Sequence, residues 1–416
     1  MFTNAFNERT SRTDMPQLIA VGCLMIFSVL FVYSATMVNS PLGVLQQFRE
    51  MPLREFAVWM FGQFFFKQLI WFGVGIAASV AICLIDYHTL ARWSYVGYWV
   101  MIVLLVAVIV PGVGSWRGGA QRWIDLKVFQ FQPSEFAKLA FILAMANFLS
   151  RPADELRLPN IFWKAIGMMA LPFVLVMKEP DLGSALVLVP VGVVMLFVAG
   201  VPRKFLIRIG SVVAVCGAIF LVDILFAPPG WWKIKLEDYQ RHRLLVYFGV
   251  DFAPAGASPE EKTRLRKLQW DKSYQGRQAL ISVGSGGLTG KGWHRGDQTA
   301  LGFLPPGAAH NDFIFSVIAE EEGFVGSVIV ITLYAAVLFT GIRIASQARD
   351  RLGKLLAVGV VTLLFSHAFI NIGMNIRIMP VTGVPLPLLS YGGSSVLCSL
   401  IAIGLMQNVH IHRRGY

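Results

Sequence analysis

The chain is dominated by apolar runs of about twenty residues with few or no charges, divided by short polar segments. A helix of that length crosses the hydrocarbon core of a bilayer. Ten such runs are predicted, at about 17–36, 65–85, 93–111, 134–150, 161–177, 182–200, 205–227, 312–342, 355–376 and 388–409. Only 14% of residues are charged against 56% hydrophobic, and mean hydropathy is +0.62; a soluble domain is about a quarter charged. This balance excludes an ordinary cytosolic enzyme, a disordered tail and a DNA-binding domain. The first run is too long for a cleavable signal peptide and is expected to remain as a span. Cys23, Cys83, Cys216 and Cys398 are scattered through apolar stretches, which indicates neither a disulfide framework nor a zinc site. The expected fold is an all-α polytopic membrane protein of about ten transmembrane helices. It forms a single domain over 1–416, with a large extracytoplasmic loop, 228–311, between helices 7 and 8.

Basic residues set the orientation. With the N-terminus inside, 15 of the 36 Lys and Arg fall in inside segments, eight in short outside segments, 12 in the long loop, and Lys138 within a span. Loops beyond about 60 residues translocate largely regardless of charge, so the bias predicts both termini in the cytoplasm. The net charge of +12 then requires no nucleic acid. Part of it orients the chain, and the external share suits an anionic lipid.

Ionisable residues inside a bilayer are costly and mark a site, a pathway or a structural pair. Few of the 24 acids are placed there: Glu135, Asp223, Glu320, Glu321 and Glu322, with Glu179, Asp181 and Asp312 near the outer edge. Glu135 and Lys138 stand three residues apart on one helix face and can pair; they either pin the fourth helix or belong to a site. Asp223 is expected to reach the headgroups. Asp312, Ser316 and Glu320 recur every four residues, followed by Gly323 and Ser327, a small polar stripe opposite Phe313, Ile314 and Phe324. Such a stripe faces a bundle interior or a wet cavity. Asp312 stands at its outer end, as a reactive carboxylate or as a helix N-cap.

The segment Gly284-Ser285-Gly286-Gly287-Leu288-Thr289-Gly290-Lys291-Gly292 looks like a phosphate loop. No strand-to-helix context surrounds it, and ATP is scarce outside the cell. Its amides and Lys291 remain candidates for a pyrophosphate. Pro385, Pro387 and Tyr391-Gly392-Gly393-Ser394-Ser395 predict a broken start to the last span, packed against protein or lining a site. The histidines form no ligand pattern. His410 and His412 flank the basic C-terminus, His367 is alone in a span, His88, His242 and His294 lie in loops, and His310, two residues before Asp312, is the one retained as a candidate.

Together these segments resemble a known family. Tyr33-Ser34-Ala35-Thr36 comes first, then Gly119-Ala120-Gln121-Arg122-Trp123-Ile124 and Gln132-Pro133-Ser134-Glu135-Phe136-Ala137-Lys138. Glu179-Pro180-Asp181-Leu182-Gly183-Ser184-Ala185-Leu186, the glycine-rich loop, His310-Asn311-Asp312-Phe313-Ile314-Phe315 and Pro385-Leu386-Pro387-Leu388-Leu389-Ser390-Tyr391-Gly392-Gly393-Ser394 follow. They run along nearly the whole chain in the order of the SEDS proteins (shape, elongation, division and sporulation; RodA, FtsW, SpoVE). Gly383-Val384-Pro385-Leu386-Pro387 and Asp238-Tyr239-Gln240-Arg241-His242-Arg243-Leu244 look like the elongation branch, RodA; the division branch, FtsW, usually has a threonine near the position of Pro385.

The resemblance implies ten helices, both termini cytoplasmic, and polymerisation of peptidoglycan glycan from lipid II at the outer face of the bacterial inner membrane. It implies an essential acid at Asp312, a functional tryptophan at Trp123, and functional roles for Glu135 and Lys138. The implied partners are lipid II, the growing glycan strand, a class B penicillin-binding transpeptidase, membrane lipids and elongation proteins such as MreC and MreD. Three places depart from the family's pattern. The family usually reads FLPE, one residue, then HTD, whereas Phe303–Asp312 lacks that glutamate and is two residues longer. A charged stretch, about Ala253–Ser273, reads as an insertion forming a solvated helix or a partner surface. Arg377 stands where an apolar residue is expected.

Joining the 4-hydroxyl of one lipid-linked disaccharide to the anomeric carbon of another turns an α-linked donor into a β(1→4) glycan and expels undecaprenyl pyrophosphate. Inversion needs one general base and no carboxylate nucleophile; Asp312 is assigned that role. The departing pyrophosphate calls for cations. Arg122 comes first, because guanidinium binds phosphate bidentately, followed by Lys138, Lys291, Arg241 and Arg243, or a bridging divalent ion (Mg2+ or Mn2+). Trp123 is expected to stack on sugar or lipid, or to join the interfacial belt. Glu135, His310, Ser316 and Glu320 complete the candidate substrate-binding set. The alternatives are a lipid II flippase or other transporter, and a non-catalytic scaffold of the wall-building complex. A transporter predicts internal repeats and charges spread across the membrane depth. The sequence has no convincing repeat, and its polar positions gather toward the outer face.

Overall fold

A computed structural model describes residues 13–36, 52–117, 120–125, 130–226, 238–252 and 258–414. Arg9, Arg12, Arg49, Gly119, Lys127, Lys233, Lys235 and the first five residues of the 253–273 stretch lie outside the described residues. In chain order the helices are α1 (Met15–Thr36), α2 (Leu53–Gly62), α3 (Phe64–Leu84), α4 (Tyr87–Arg92), α5 (Ser94–Ile109), α6 (Pro133–Leu149), α7 (Pro159–Lys178), α8 (Leu182–Val198), α9 (Arg203–Phe226), α10 (Asp238–Phe248), α11 (Pro259–Ser285), α12 (Asp297–Ala300), α13 (Pro306–Ala309), α14 (Ile314–Gln347), α15 (Arg351–Asn375) and α16 (Gly393–Ile411). Each of the ten apolar runs coincides with one of them. Among the described residues, seven helices are long and apolar enough to cross a membrane, while α5 and α8 are apolar but shorter.

Helix ends follow local chemistry. Pro133 and Pro159 open α6 and α7, where the missing N–H costs nothing. Asp181 caps α8 by accepting the Ser184 amide at 3.1 Å, and Asp350 caps α15 through the Gly353 amide at 3.2 Å. Most side chains of α6, α15 and α16 are buried, so these helices form the centre. Ile26, Leu84, Val103, Ile207 and Phe339 remain exposed on outward faces, as expected where the surrounding solvent is lipid. Both described termini meet at one end, where the Asp14 amide donates to Gln407 Oε1 at 2.9 Å and Arg343 pairs with Asp14 at 2.6 Å. The opposite end carries residues 110–117, 120–125 and 130–132 together with 178–182 and 286–313.

Two features depart from the sequence expectation. A three-stranded antiparallel sheet, β1 (Gly114–Arg117), β2 (Ala120–Asp125) and β3 (Gln130–Phe131), interrupts the all-helical scheme after α5. In addition, α14 starts at Ile314, leaving Asp312 in the preceding turn, and it breaks at Gly323 (φ 65°, ψ −155°). The glycine-rich segment fills that break. The Lys291 and Gly292 amides donate to the Glu320 and Glu321 carbonyls (3.1 and 2.8 Å), and the Phe324 and Val325 amides donate to Gly287 and Leu288 (2.9 and 3.1 Å). A Cβ on Gly323 would overlap the Gly290 amide nitrogen, and one on Gly290 would overlap the Glu321 carbonyl. The glycines are therefore a backbone joint. Amides that the sequence offered to a pyrophosphate are committed to satisfying a broken helix, as non-helical backbone within a membrane protein requires. The described part of the 253–273 stretch forms the polar first half of α11.

Candidate active site

Asp312 lies half-buried in the turn between α13 and α14. It does not cap the helix: the N-cap of α14 is Phe313, with no side-chain hydrogen bond. The Asp312 carbonyl accepts from Asn371 Nδ2 at 3.0 Å and Asn375 Nδ2 at 3.2 Å, and Ser316 Oγ donates to Asn375 Oδ1 at 2.5 Å. The carboxylate faces Gly383 and Arg243. A Cβ placed on Gly383 would stand 3.4 Å from Asp312 Oδ2 and 4.0 Å from Arg243 Nη1. Gly383 has φ 76°, a backbone region that favours glycine, so this strand of loop adds no side chain between acid and guanidinium. Burial pushes the Asp312 carboxyl up to about 6, while Arg243 and then Arg122 pull it down and Asp181 adds to the rise. Burial likewise draws Arg243 down to about 10, with Asp312 opposing. Tyr247, one turn beyond Arg243 on α10, donates to the Ile378 carbonyl at 2.6 Å and fixes the face that Arg243 presents.

Arg122 approaches from β2. Its Nε donates to the Glu179 carbonyl at 3.2 Å, its Nη2 to the Pro180 carbonyl, and its Nη1 lies 3.7 Å from Asp181 Oδ1. Side chains alternate along a strand, so Trp123, half-buried, turns to the other face of the sheet from Arg122. Gln132 Nε2 also donates to Asp181, at 3.4 Å. The Glu179 carboxyl is buried with neither oxygen hydrogen-bonded among the described residues. Burial and then Asp181 push it up to about 9, against Arg122; Glu179 is thus protonated at neutral pH, and Asp181 is the carboxylate that faces Arg122.

The remaining candidates fall into other groups. Lys138 Nζ lies 2.6 Å from Glu135 Oε1 and 2.8 Å from His367 Nε2, all three buried. Lys291 Nζ donates to Glu320 Oε1 at 2.6 Å and Asp297 Oδ2 at 2.9 Å. Burial works to lower the Lys291 pKa, but these bonds hold it above its ordinary value. Glu320, fully buried, also accepts Ser282 Oγ at 3.0 Å and the Gln298 amide at 3.1 Å. The His310 ring packs on Phe64 and Tyr391, with centroids 4.6 and 5.5 Å away. Arg241 is half-buried on α10, two residues before Arg243.

The structure therefore brings Asp312, Arg243 and Arg122 into one charged cluster with Asp181. It places Ser316 beneath that cluster, Glu135 and Lys138 in a buried group with His367, and Lys291 with Glu320 at the joint. Sequence reasoning missed Asp181 and His367 as site residues. The signal for His367 was its spacing of four from Asn371 and eight from Asn375. Among the described residues, no group of three or more His, Cys, Asp or Glu could hold a metal ion. Asp312 and Asp181 share their surroundings with two guanidiniums, a donor set that does not fit a divalent cation.

A family model described as "Cell cycle protein", covering FtsW, RodA and SpoVE, matches residues 15–415. The chain is 34% identical over 401 residues to peptidoglycan glycosyltransferase MrdB of Escherichia coli (strain K12), covering 96% of this chain and 94% of that one. It is 33% identical over 411 residues to stage V sporulation protein E of Bacillus subtilis (strain 168), covering 97% and 99%. In fold it matches the rod shape determining protein RodA of Thermus thermophilus, with TM-score 0.62 at 24% identity over 97% of this chain and 98% of that one. It also matches a chain of a peptidoglycan synthase complex that coordinates polymerization and crosslinking, with TM-score 0.71 at 24% identity over 97% and 99%. With a family match along almost its entire length, the chain belongs to the FtsW/RodA/SpoVE (SEDS) family and is RodA-like.

Proposed function

We propose that the chain polymerises peptidoglycan glycan, joining lipid II units through β(1→4) bonds with release of undecaprenyl pyrophosphate. Relatives named peptidoglycan glycosyltransferase support the reaction class. The observation that carries it is Asp312, partly open and set beside Arg243 across Gly383. Ionised above about pH 6, Asp312 takes the proton of the acceptor 4-hydroxyl as that oxygen bonds to the anomeric carbon. The bond from that carbon to the pyrophosphate oxygen breaks on the opposite face, and its electron pair leaves with the pyrophosphate. Arg243 faces the developing charge. Arg122, held by the 179–181 turn, contributes its field from behind.

In this reading ten helices cross the inner membrane, both termini are cytoplasmic, and the Asp312 end and the 228–311 loop lie outside. A class B transpeptidase is the partner, supported by the likeness to a synthase-complex chain, with MreC and MreD as further elongation partners. The test gives lipid II in detergent to the protein purified with its transpeptidase, and compares wild type with Asp312→Asn. Loss of a general base costs about 10²- to 10⁴-fold, so the variant makes almost no polymer. Equal polymer from both would remove Asp312 as the base. No polymer from either, with lipid II crossing vesicle membranes, would favour transport.

A further inference from the structure

We infer that His367 is a positioning residue for this reaction, the first rung of a polar ladder on α15 that ties the buried Glu135–Lys138 pair to the loop and turn holding Asp312. Its activity arm rests on the polymerase reading above; its structural arm does not.

His367, Asn371 and Asn375 are spaced by four, so they lie on one face of α15. They are 4%, 0% and 0% exposed. His367 and Asn371 each join two separate segments, and Asn375 binds one, the stretch from Asp312 to Ser316. Asn375 holds the Asp312 carbonyl and receives Ser316 Oγ. Asn371 Nδ2 bridges the Asp312 carbonyl at 3.0 Å and the Val384 carbonyl at 2.7 Å. His367 meets Lys138 through Nε2 at 2.8 Å and is hydrogen-bonded to the Pro385 backbone. Proline has no N–H, so the ring donates there to the carbonyl. That leaves Nε2 with a lone pair for the Lys138 ammonium. One form of the ring satisfies both contacts, the neutral tautomer with its proton on Nδ1.

Gly383, Val384 and Pro385 are consecutive, and Gly383 is the residue against the Asp312 carboxylate. The ladder therefore grips the same short loop at two neighbouring carbonyls and the Asp312 turn at a third. His367 touches no reacting group; it acts through Lys138 and Pro385. An apolar side chain of similar size would fill the space, yet it would leave a buried ammonium and a buried carbonyl each short of a partner, a loss worth about ten-fold or more.

The experiment compares full-length wild type, His367→Leu, His367→Gln, Lys138→Met, and Lys138→Met combined with His367→Leu, each purified with the transpeptidase. Glutamine offers one acceptor and one donor and does not titrate. The leucine variant is expected to lower kcat for polymerisation about ten-fold or more, with KM for lipid II within about two-fold. Glutamine restores most of the rate, and the double variant is no slower than Lys138→Met alone. Without substrate, the leucine variant speeds amide hydrogen exchange about ten-fold at Val384, Leu386 and Phe313 and leaves the terminal end of α15 unchanged; glutamine suppresses the effect. If the leucine variant does not fold, His367→Asn replaces it. Asparagine reaches Pro385 but not Lys138, and the same loss of kcat is expected. Wild-type kcat in the leucine or asparagine variant, glutamine as poor as leucine, additive losses, or unchanged exchange around residue 384 would each overturn the inference. If wild type makes no polymer, the polymerase reading falls, and the exchange data alone decide whether His367 holds the loop.

Discussion

Replacing Arg243 by glutamine is expected to move the acid limb of the polymerisation profile upward. Asp312 titrates near 6 because burial raises it while Arg243 is the largest influence holding it down. Asp312 Oδ2 and Arg243 Nη1 lie 3.4 and 4.0 Å from one point beside Gly383, so they are at most about 7 Å apart. Two unit charges at that distance attract by about 2.4 kcal/mol at an effective dielectric of 20. At 1.36 kcal/mol per pH unit, this is about 1.7 units. The open side of the site screens part of it, leaving an expected shift of about 1 to 1.5 units. The sign follows from the proposed role of Asp312 as a base that is active when ionised: rate is lost as pH falls through the Asp312 pKa, and without Arg243 that pKa is higher. The assay is kcat/KM for lipid II between about pH 5 and 9, which reports the free enzyme. In the proposed reaction Arg243 also faces the pyrophosphate, so the plateau falls as well; the position of the limb is the diagnostic quantity. A limb that stays in place, or moves down, refutes the electrostatic pairing.

The joint gives two further predictions. Glu320→Ala removes the partner of Lys291, Ser282 and the Gln298 amide. Breaking a buried ion pair costs about 3–5 kcal/mol, and the 25% exposure of Lys291 reduces the expected loss to about 2–3 kcal/mol, read as a lower Tm in detergent; an unchanged Tm would show that the pair carries no stability. Gly323→Ala places a Cβ against the Gly290 amide at a positive φ and is expected to cost more than about 2 kcal/mol. Limited proteolysis should then cut within residues 286–293, and wild-type resistance there would refute the joint.

The polytopic helical fold can be read from the sequence because bilayer thickness sets the length of an apolar run whatever its neighbours do. The sheet cannot: strands of four, six and two residues are too short to establish an alternating pattern, and β2 mixes Gln121 and Arg122 with Trp123 and Ile124. The break at Gly323 hides inside a good helical stripe, because its hydrogen-bond partners sit in the preceding loop and leave no mark on the residues around it. Asp312 is legible as an acid at the end of that stripe. Arg243 is not separable in sequence from the other basic residues of the long loop; only the packing of α10, fixed by Tyr247, selects it. His367 looks solitary because Lys138 is 229 residues away.

The joint also fixes an order of events in the making of this protein. Phe324 and Val325 find their carbonyl partners in Gly287 and Leu288, so the bent form of α14 has no complete hydrogen bonding by itself. A newly inserted segment 314–347 is satisfied only as a straight helix; it bends when the loop synthesised before it folds back and docks. Pulse proteolysis of that loop during refolding reports the step, and protection gained together with the rest of the bundle would contradict it. Asp312 lies just ahead of the bent segment, so the docking that completes the bend also orients the turn that carries it toward Arg243.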